Sequence, residues 1–171
     1  MLTKRLIACF DDVIKGRVTK AERFQNNIDI DSAVALAKQL YEDQIDEIIF
    51  YDITASSEKR KIDLQIVKEV AENVFVPFTV GGGIKNIQDM YDVLKAGAEK
   101  ISIDSMAVRN PQLIKEGARA FGSQCIVLSM QVKRVSLTDK IPSGYEIAID
   151  GARVFTGLDA VEWAKRGEDL G

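Results

Sequence analysis

Short, nearly continuous apolar runs alternate with helix-periodic segments along this chain, and that rhythm points to a parallel sheet. The strand-like runs fall at residues 6–10, 47–51, 77–80, 100–103 and 125–130. A run that is apolar on both faces suits a strand covered on both sides. Between the runs, residues 31–42 place Ala33, Leu36, Ala37, Leu40 and Tyr41 on one helical face, and residues 58–74 do the same with Ile62, Ile66, Val70 and Val74. A third helix opens at Asn86, a good N-cap, and stops at Gly97; a fourth opens at Asn110-Pro111 and closes at Gly122. Strand–helix–strand connections make the neighbouring strands parallel. Beyond residue 130 the rhythm changes. Residues 132–137 and 145–149 flank a Pro-Ser-Gly turn, which predicts a β-hairpin, and a fifth helix is expected over 159–166.

Two α/β architectures fit this order: an open doubly wound sheet, or a closed (β/α)8 barrel of the TIM type. Asp11, Asp52, Gly81 to Gly83, Asp104 and Gln131 all stand where strands finish. That favours the barrel, whose chemistry gathers at the C-terminal ends of its strands. Such a barrel takes ~250 residues, and this chain of 171 supplies about five βα units with a hairpin insert after strand five. With no linker or low-complexity segment in view, the expectation is one incomplete barrel domain over residues 1–171.

The chain contains no histidine. Ser-His and Cys-His nucleophiles, H-E-x-x-H metal sites and imidazole bases are therefore excluded, and acid–base work falls to carboxylates, Lys, Tyr or Cys. No metal or cofactor is expected. A net charge of −3 gives no reason to expect nucleic acid or an acidic membrane as partner. No apolar run approaches the ~20 residues needed to span a bilayer. The first residues lead directly into a strand rather than a signal peptide, so the expected location is cytoplasmic. Cys9 and Cys125 each sit in an apolar run and read as buried structural thiols.

Asp11 and Asp12 follow the first strand and Asp52 follows the second. Carboxylates at one barrel mouth could donate and accept protons; equally, aspartate favours strand-to-loop corners. The Val80-Gly81-Gly82-Gly83-Ile84 segment is more specific. Three glycines after a strand bare backbone N–H groups to an approaching phosphate, and Ser105 beside Asp104 could donate to the same anion. The alternative is a tight turn needing positive φ. Arg5, Glu47 and Lys100 each begin a strand and should gather at the opposite face, as a charged ring or as an ordinary solvated rim.

Several of these segments together resemble the cyclase subunit family of imidazole glycerol phosphate synthase, over the whole chain. They are Lys4 to Cys9, Asp46-Glu47, Asp52-Ile53-Thr54-Ala55-Ser56 with Glu58-Lys59-Arg60, Pro77 to Ile84, and Phe121-Gly122-Ser123-Gln124. The resemblance implies a lyase of histidine biosynthesis. It would use ammonia from a glutaminase partner to convert a bisphosphorylated aminoimidazole carboxamide ribonucleotide into imidazole glycerol phosphate and AICAR. It implies that Gly82, Gly83, Asp104 and Ser105 bind a substrate phosphate, that Asp52 lies near the reacting groups, and that Lys20 lies on a mobile first loop. It gives Arg5, Glu47 and Lys100 the role of an ammonia gate, with the glutaminase docked on the N-terminal barrel face.

The chain departs from that family in four ways. One residue is inserted near the first catalytic aspartate, so Asp11 and Asp12 both compete for the role; Asp11 is preferred because loops absorb insertions more easily than strands. The second catalytic aspartate is matched by Gln131, whose amide cannot exchange a proton as a carboxylate does. The phosphate-site asparagine is matched by Asp104, whose charge opposes a phosphate unless it is protonated or turned away. Finally, the chain stops where strand six should begin, which reads as a truncated product with raw sheet edges and a tendency to self-associate. The competing readings are a family member with reduced or no cyclase activity, serving as ammonia-channelling partner or binding module, and the sister isomerase, which the 52–60 signature opposes.

Overall fold

The computed structural model describes residues 3–14, 16–22, 25–52 and 61–171. They form two compact units, Met1–Ile84 with Gln88–Ile101, and Lys85–Ile87 with Ser102–Gly171. The central element is a five-stranded sheet in the order β1 (Ile7–Phe10), β5 (Glu47–Tyr51), β6 (Phe78–Gly81), β7 (Lys100–Ile103), β8 (Ile126–Leu128). The strands follow one another in chain order with no reversal. A doubly wound sheet reverses its order at a switch point; a singly wound barrel sheet does not. β1 pairs with β5 in parallel from Ile7↔Glu47 to Phe10↔Phe50, and β5 with β6 from Ile48↔Phe78 to Tyr51↔Gly81.

In the first unit, α1 (Ala33–Glu42), α2 (Leu64–Ala71) and α3 (Ile87–Lys95, which the unit holds from Gln88) connect these strands. Ser32 caps α1 by accepting from the Ala35 N–H, and Asp63 caps α2 by accepting from the Gln65 N–H. The helices bury Ala33, Ala37, Ile66, Val67, Val70, Met90 and Val93. The sheet buries Phe10, Ile48, Phe50, Phe78, Val80 and Ile101. Phe50 packs on both Phe10 and Phe78, with ring centroids at 4.7 and 4.9 Å, so an aromatic row ties three adjacent strands together. β1 is an edge of the sheet, and Leu6 and Ile7 stand exposed there.

A second sheet in this unit was read from the sequence as a loop. Here β2 (Asp12–Ile14), β3 (Arg17–Glu22) and β4 (Gln25–Ser32) form an antiparallel meander. Its polar composition hides the strands from an apolar-run criterion, although Val13 and Val18 are buried. Where the resemblance implies a loop around Lys20, its backbone lies in β3 opposite Ile28. The predicted start of the second helix falls at residues 58–60, outside the described residues, and the described helix begins only at Leu64.

In the second unit, α4 (Ser105–Arg109) and α5 (Gln112–Phe121) follow β7, and β8 enters through a 3-10 turn at Ser123–Cys125. The predicted hairpin is present as β9 (Gln131–Arg134) against β10 (Tyr145–Ile149). A further strand, β11 (Val154–Asp159), extends it to the order β11-β10-β9. α6 (Ala160–Leu170) starts from an Asp159 cap that accepts from the Val161 and Glu162 N–H groups. Gly167 lets α6 approach the sheet closely, since a Cβ there would meet the Leu128 side chain at 2.4 Å. Ile147, Ala148, Ile149, Leu113, Ile114 and Trp163 fill the core between these elements.

Candidate functional site

At the N-terminal end of the first unit's strands, one buried carboxylate collects two cations. Glu47 opens β5 and is only 3% exposed. Its Oε2 accepts from the Arg5 guanidinium at 2.8 Å, and its Oε1 accepts from Lys100 Nζ at 2.8 Å and from the Thr79 hydroxyl at 3.4 Å. Each partner comes from the start of a different strand segment, so parallel register is what gathers them. The Arg5 side chain remains 57% exposed, that of Lys100 24%. The cluster is therefore more than a solvated rim: a carboxylate out of water depends on its partners far more than an exposed one does. Sequence reasoning missed Thr79; its signal was a hydroxyl inside an otherwise apolar strand run.

At the other end of the same strands stand Asp11, Asp52 and the glycines. Asp52 is buried, and its N–H donates to the Gly81 carbonyl at 3.0 Å. Gly82 has φ +97°, and a Cβ there would meet the Asp52 carbonyl oxygen at 2.2 Å. Glycine is therefore required twice over, by conformation and by the closeness of Asp52. Gly83 also has positive φ, at 66°. A small space of about 10 Å³, lined in part by Val13, Phe50 and Ile66, adjoins Asp52. Asp11 is exposed, and its Oδ1 accepts from the Cys9 thiol at 3.2 Å. Partial burial and this carboxylate push the Cys9 thiol up to about 12. The thiol is thus held protonated rather than activated. Cys9 and Cys125 are both free, one exposed and the other half-buried, so neither is the buried core thiol expected from its apolar run. At Cys9 the reason is its place on an edge strand.

The second unit carries a different network where β7 and β8 finish. The Gln131 amide donates through Nε2 to Asp104 Oδ2, while its Oε1 accepts from the Ala152 N–H. Arg109 pairs with Asp150, and the Asp150 N–H donates to the Ser105 hydroxyl at 3.0 Å. The 150–152 turn that receives these contacts has positive φ at Asp150, Gly151 and Ala152. Left-handed backbone at two non-glycine residues persists where its surroundings hold it, and here Ser105, Arg109 and Gln131 do so. Burial pushes the Asp104 carboxyl above its ordinary range; the Gln131 amide pulls it back, Asp150 raises it further and Arg109 lowers it. Arg109 and the 150–152 turn were missed from sequence, although Asp150-Gly151 is a turn dipeptide.

Asp12 and Lys20 are placed in β2 and β3 by their backbones, and their side chains lie outside the described residues. So does the 53–60 part of the signature segment. Among the described residues, no cluster of Cys, Asp and Glu could hold a metal ion, and no helix is long and apolar enough to cross a membrane. A cavity of about 530 Å³ opens in the second unit beside β8 and α6, lined largely by apolar side chains such as Ile126, Leu128 and Met130. Its lining shares no residue with the Asp104 network.

The family model described as histidine biosynthesis protein matches residues 5–171. The chain belongs to this family. Among its relatives is a protein of Desulfatibacillum aliphaticivorans named imidazole glycerol phosphate synthase subunit HisF, 56% identical over all 171 residues. A protein of Syntrophobacter fumaroxidans with the same name is 57% identical over the same length. The chain spans 65% and 66% of the lengths of these two relatives. Membership of the histidine biosynthesis family, together with the parallel sheet in sequential order, makes the fold α/β of the TIM-barrel type.

Proposed function

We propose that this chain is the greater part of a cyclase-type subunit of imidazole glycerol phosphate synthase. The single observation that carries the proposal is the whole-length identity to proteins of that name. In this reading ammonia reaches the barrel from a glutaminase partner seated at the N-terminal ends of the strands. There it meets the Arg5, Glu47 and Lys100 gate. Asp11 exchanges protons with the substrate, and Asp12 is its neighbour on the inserted residue. Asp52 orients the reacting groups, and Gly82 and Gly83 offer backbone N–H groups to a phosphate. Ser105 and Lys20 add donors for phosphate groups, with Asp104 beside Ser105. Gln131, the second expected catalytic position, holds its neighbours by hydrogen bonds. The reaction would take place in the cytoplasm, within one barrel domain.

The test joins the chain to the remaining third of the Syntrophobacter fumaroxidans relative and measures conversion of the bisphosphorylated ribonucleotide with ammonium salts. Turnover by the joined protein, and essentially none by the 171-residue chain alone, is the expected result. A joined, folded protein without turnover would refute the cyclase reading. The gate is tested by Lys100→Met, which should impair glutamine-driven turnover with the glutaminase present while sparing ammonia-driven turnover. Equal loss in both assays would remove the gate role. The exposed Leu6 and Ile7 on an edge strand favour self-association of the chain, which light scattering would show as a mass above that of one copy.

A further inference from the structure

Acid–base chemistry in a protein without histidine needs carboxyl groups, and the second unit presents one in an unusual setting. Asp104 ends β7. Its Oδ2 accepts from the Gln131 amide, while its Oδ1 is buried without a hydrogen-bond partner among the described residues. Among the described residues, the cation that acts on Asp104 is Arg109, and it is already paired with Asp150. Gln131 is itself committed at both ends of its amide, to Asp104 and to the Ala152 N–H. It can therefore hold Asp104 in one orientation but cannot exchange a proton.

We propose that Asp104 is the proton-exchanging carboxyl of these strand ends, and that Gln131 is its positioning residue. This deepens the cyclase reading and rests on it. A neutral Asp104 gives its O–H proton to a substrate oxygen or nitrogen as a bond to that atom breaks. The carboxylate left behind takes up the proton that the incoming ammonia nitrogen sheds as it bonds to the substrate, so the residue is unchanged after a turnover. Burial and the adjacent Asp150 both favour the neutral form that a proton donor needs, while the Gln131 amide and Arg109 oppose it. A neutral Asp104 also removes the charge that would repel a phosphate beside Ser105.

Two measurements test this. The first is a carbon-13 titration of the carboxyls in the 171-residue chain. Asp104 should titrate above the ordinary carboxylate range, and higher still in Gln131→Ala, which removes the amide donor that favours the charged form. A midpoint at or below the ordinary range in both proteins overturns the proposal. The second is the pH profile of ammonia-driven turnover in the joined protein described above. Asp104→Asn, which keeps the shape and an acceptor for Gln131, should lower turnover ~10²-fold or more and abolish the limb that falls with rising pH. In Gln131→Ala that limb should move to higher pH. Turnover within about threefold of the unsubstituted protein in Asp104→Asn, with the limb in place, overturns the role of Asp104 and leaves the cyclase reading standing. No turnover in the unsubstituted joined protein, with the titration as expected, overturns the cyclase reading instead.

Discussion

Glu47, which is buried, and Asp104, which is half-buried, are both carboxylates at strand ends, yet their neighbours treat them in opposite ways. Glu47 meets two cations at 2.8 Å and a hydroxyl at 3.4 Å. Among the described residues, Asp104 meets one neutral amide and keeps a buried oxygen without a partner. The first arrangement surrounds the carboxylate with charge-assisted donors; the second leaves the charge poorly compensated and the neutral acid correspondingly favoured. Asp159 lies between them. Its Oδ2 accepts from the Ser143 N–H at 2.8 Å and its Oδ1 from the Val161 and Glu162 N–H groups at 2.9 and 3.2 Å. Contacts with the Ser143 side chain and these N–H groups hold its pKa below the ordinary carboxylate range, against a smaller opposing effect of burial. The number and charge of donors, rather than burial alone, separates a structural carboxylate from one able to trade protons.

The strongest way to break this comparison is Glu47→Ala. Removing the buried acceptor deletes its charge-assisted bonds to Arg5 and Lys100 and takes this acceptor from the Thr79 hydroxyl, and should cost about 3 kcal/mol. That would appear as a drop of roughly 10 °C in Tm. A change under about 2 °C would show that Glu47 belongs to an ordinary surface rim. Lys100→Met should cost less, roughly 1–2 kcal/mol, because Arg5 remains bonded to Glu47. Urea titration of the two variants side by side gives that ordering directly.

Asp159→Ala sharpens the comparison through pH. The lowered pKa means the folded carboxylate binds its proton more weakly than the unfolded one. Its stabilisation is therefore present above the ordinary value of 3.8 and is lost as pH falls through the lowered pKa. The variant should melt lower than the unsubstituted chain at neutral pH, and the gap should close in acid. A gap that is constant with pH would remove the charge from the account. Asp104→Asn should give the smallest effect, with the opposite sign. The raised pKa means that wild-type stability declines as pH climbs from 3.8 through the folded value. The asparagine variant escapes that decline, so it should melt slightly higher at neutral pH. A clear loss of stability at neutral pH would place Asp104 with Glu47 after all.

Much of this was legible in the residues themselves. β5 and β7 have the bounds of their apolar runs, and β6 differs by one residue at each end, because a strand covered on both faces reads as a nearly unbroken apolar run. The meander over residues 12–32 was not legible. Its strands are mostly polar, with Val13 and Val18 as isolated buried residues, so no apolar run marks them. β11 was missed for a related reason: Val154 and Phe155 are exposed, and Gly157 interrupts the run. Among the candidate residues, Glu47 and Lys100 could be placed at strand starts from the pattern, but nothing in sequence separates a buried bridge from a rim. Likewise, Gln131 could be recognised as unable to exchange protons, while its hold on Asp104 spans 27 residues.

The sequence by itself determined the order of strands and helices, the glycines after β6 and the absence of imidazole chemistry. These follow from local periodicity, backbone permissiveness and composition, each readable within a few residues. Only the tertiary structure decided which carboxylate would be neutralised by cations and which left with an amide. That outcome depends on donors brought together from strands far apart in the chain, and the field at a buried oxygen is set by those neighbours rather than by its own residue type.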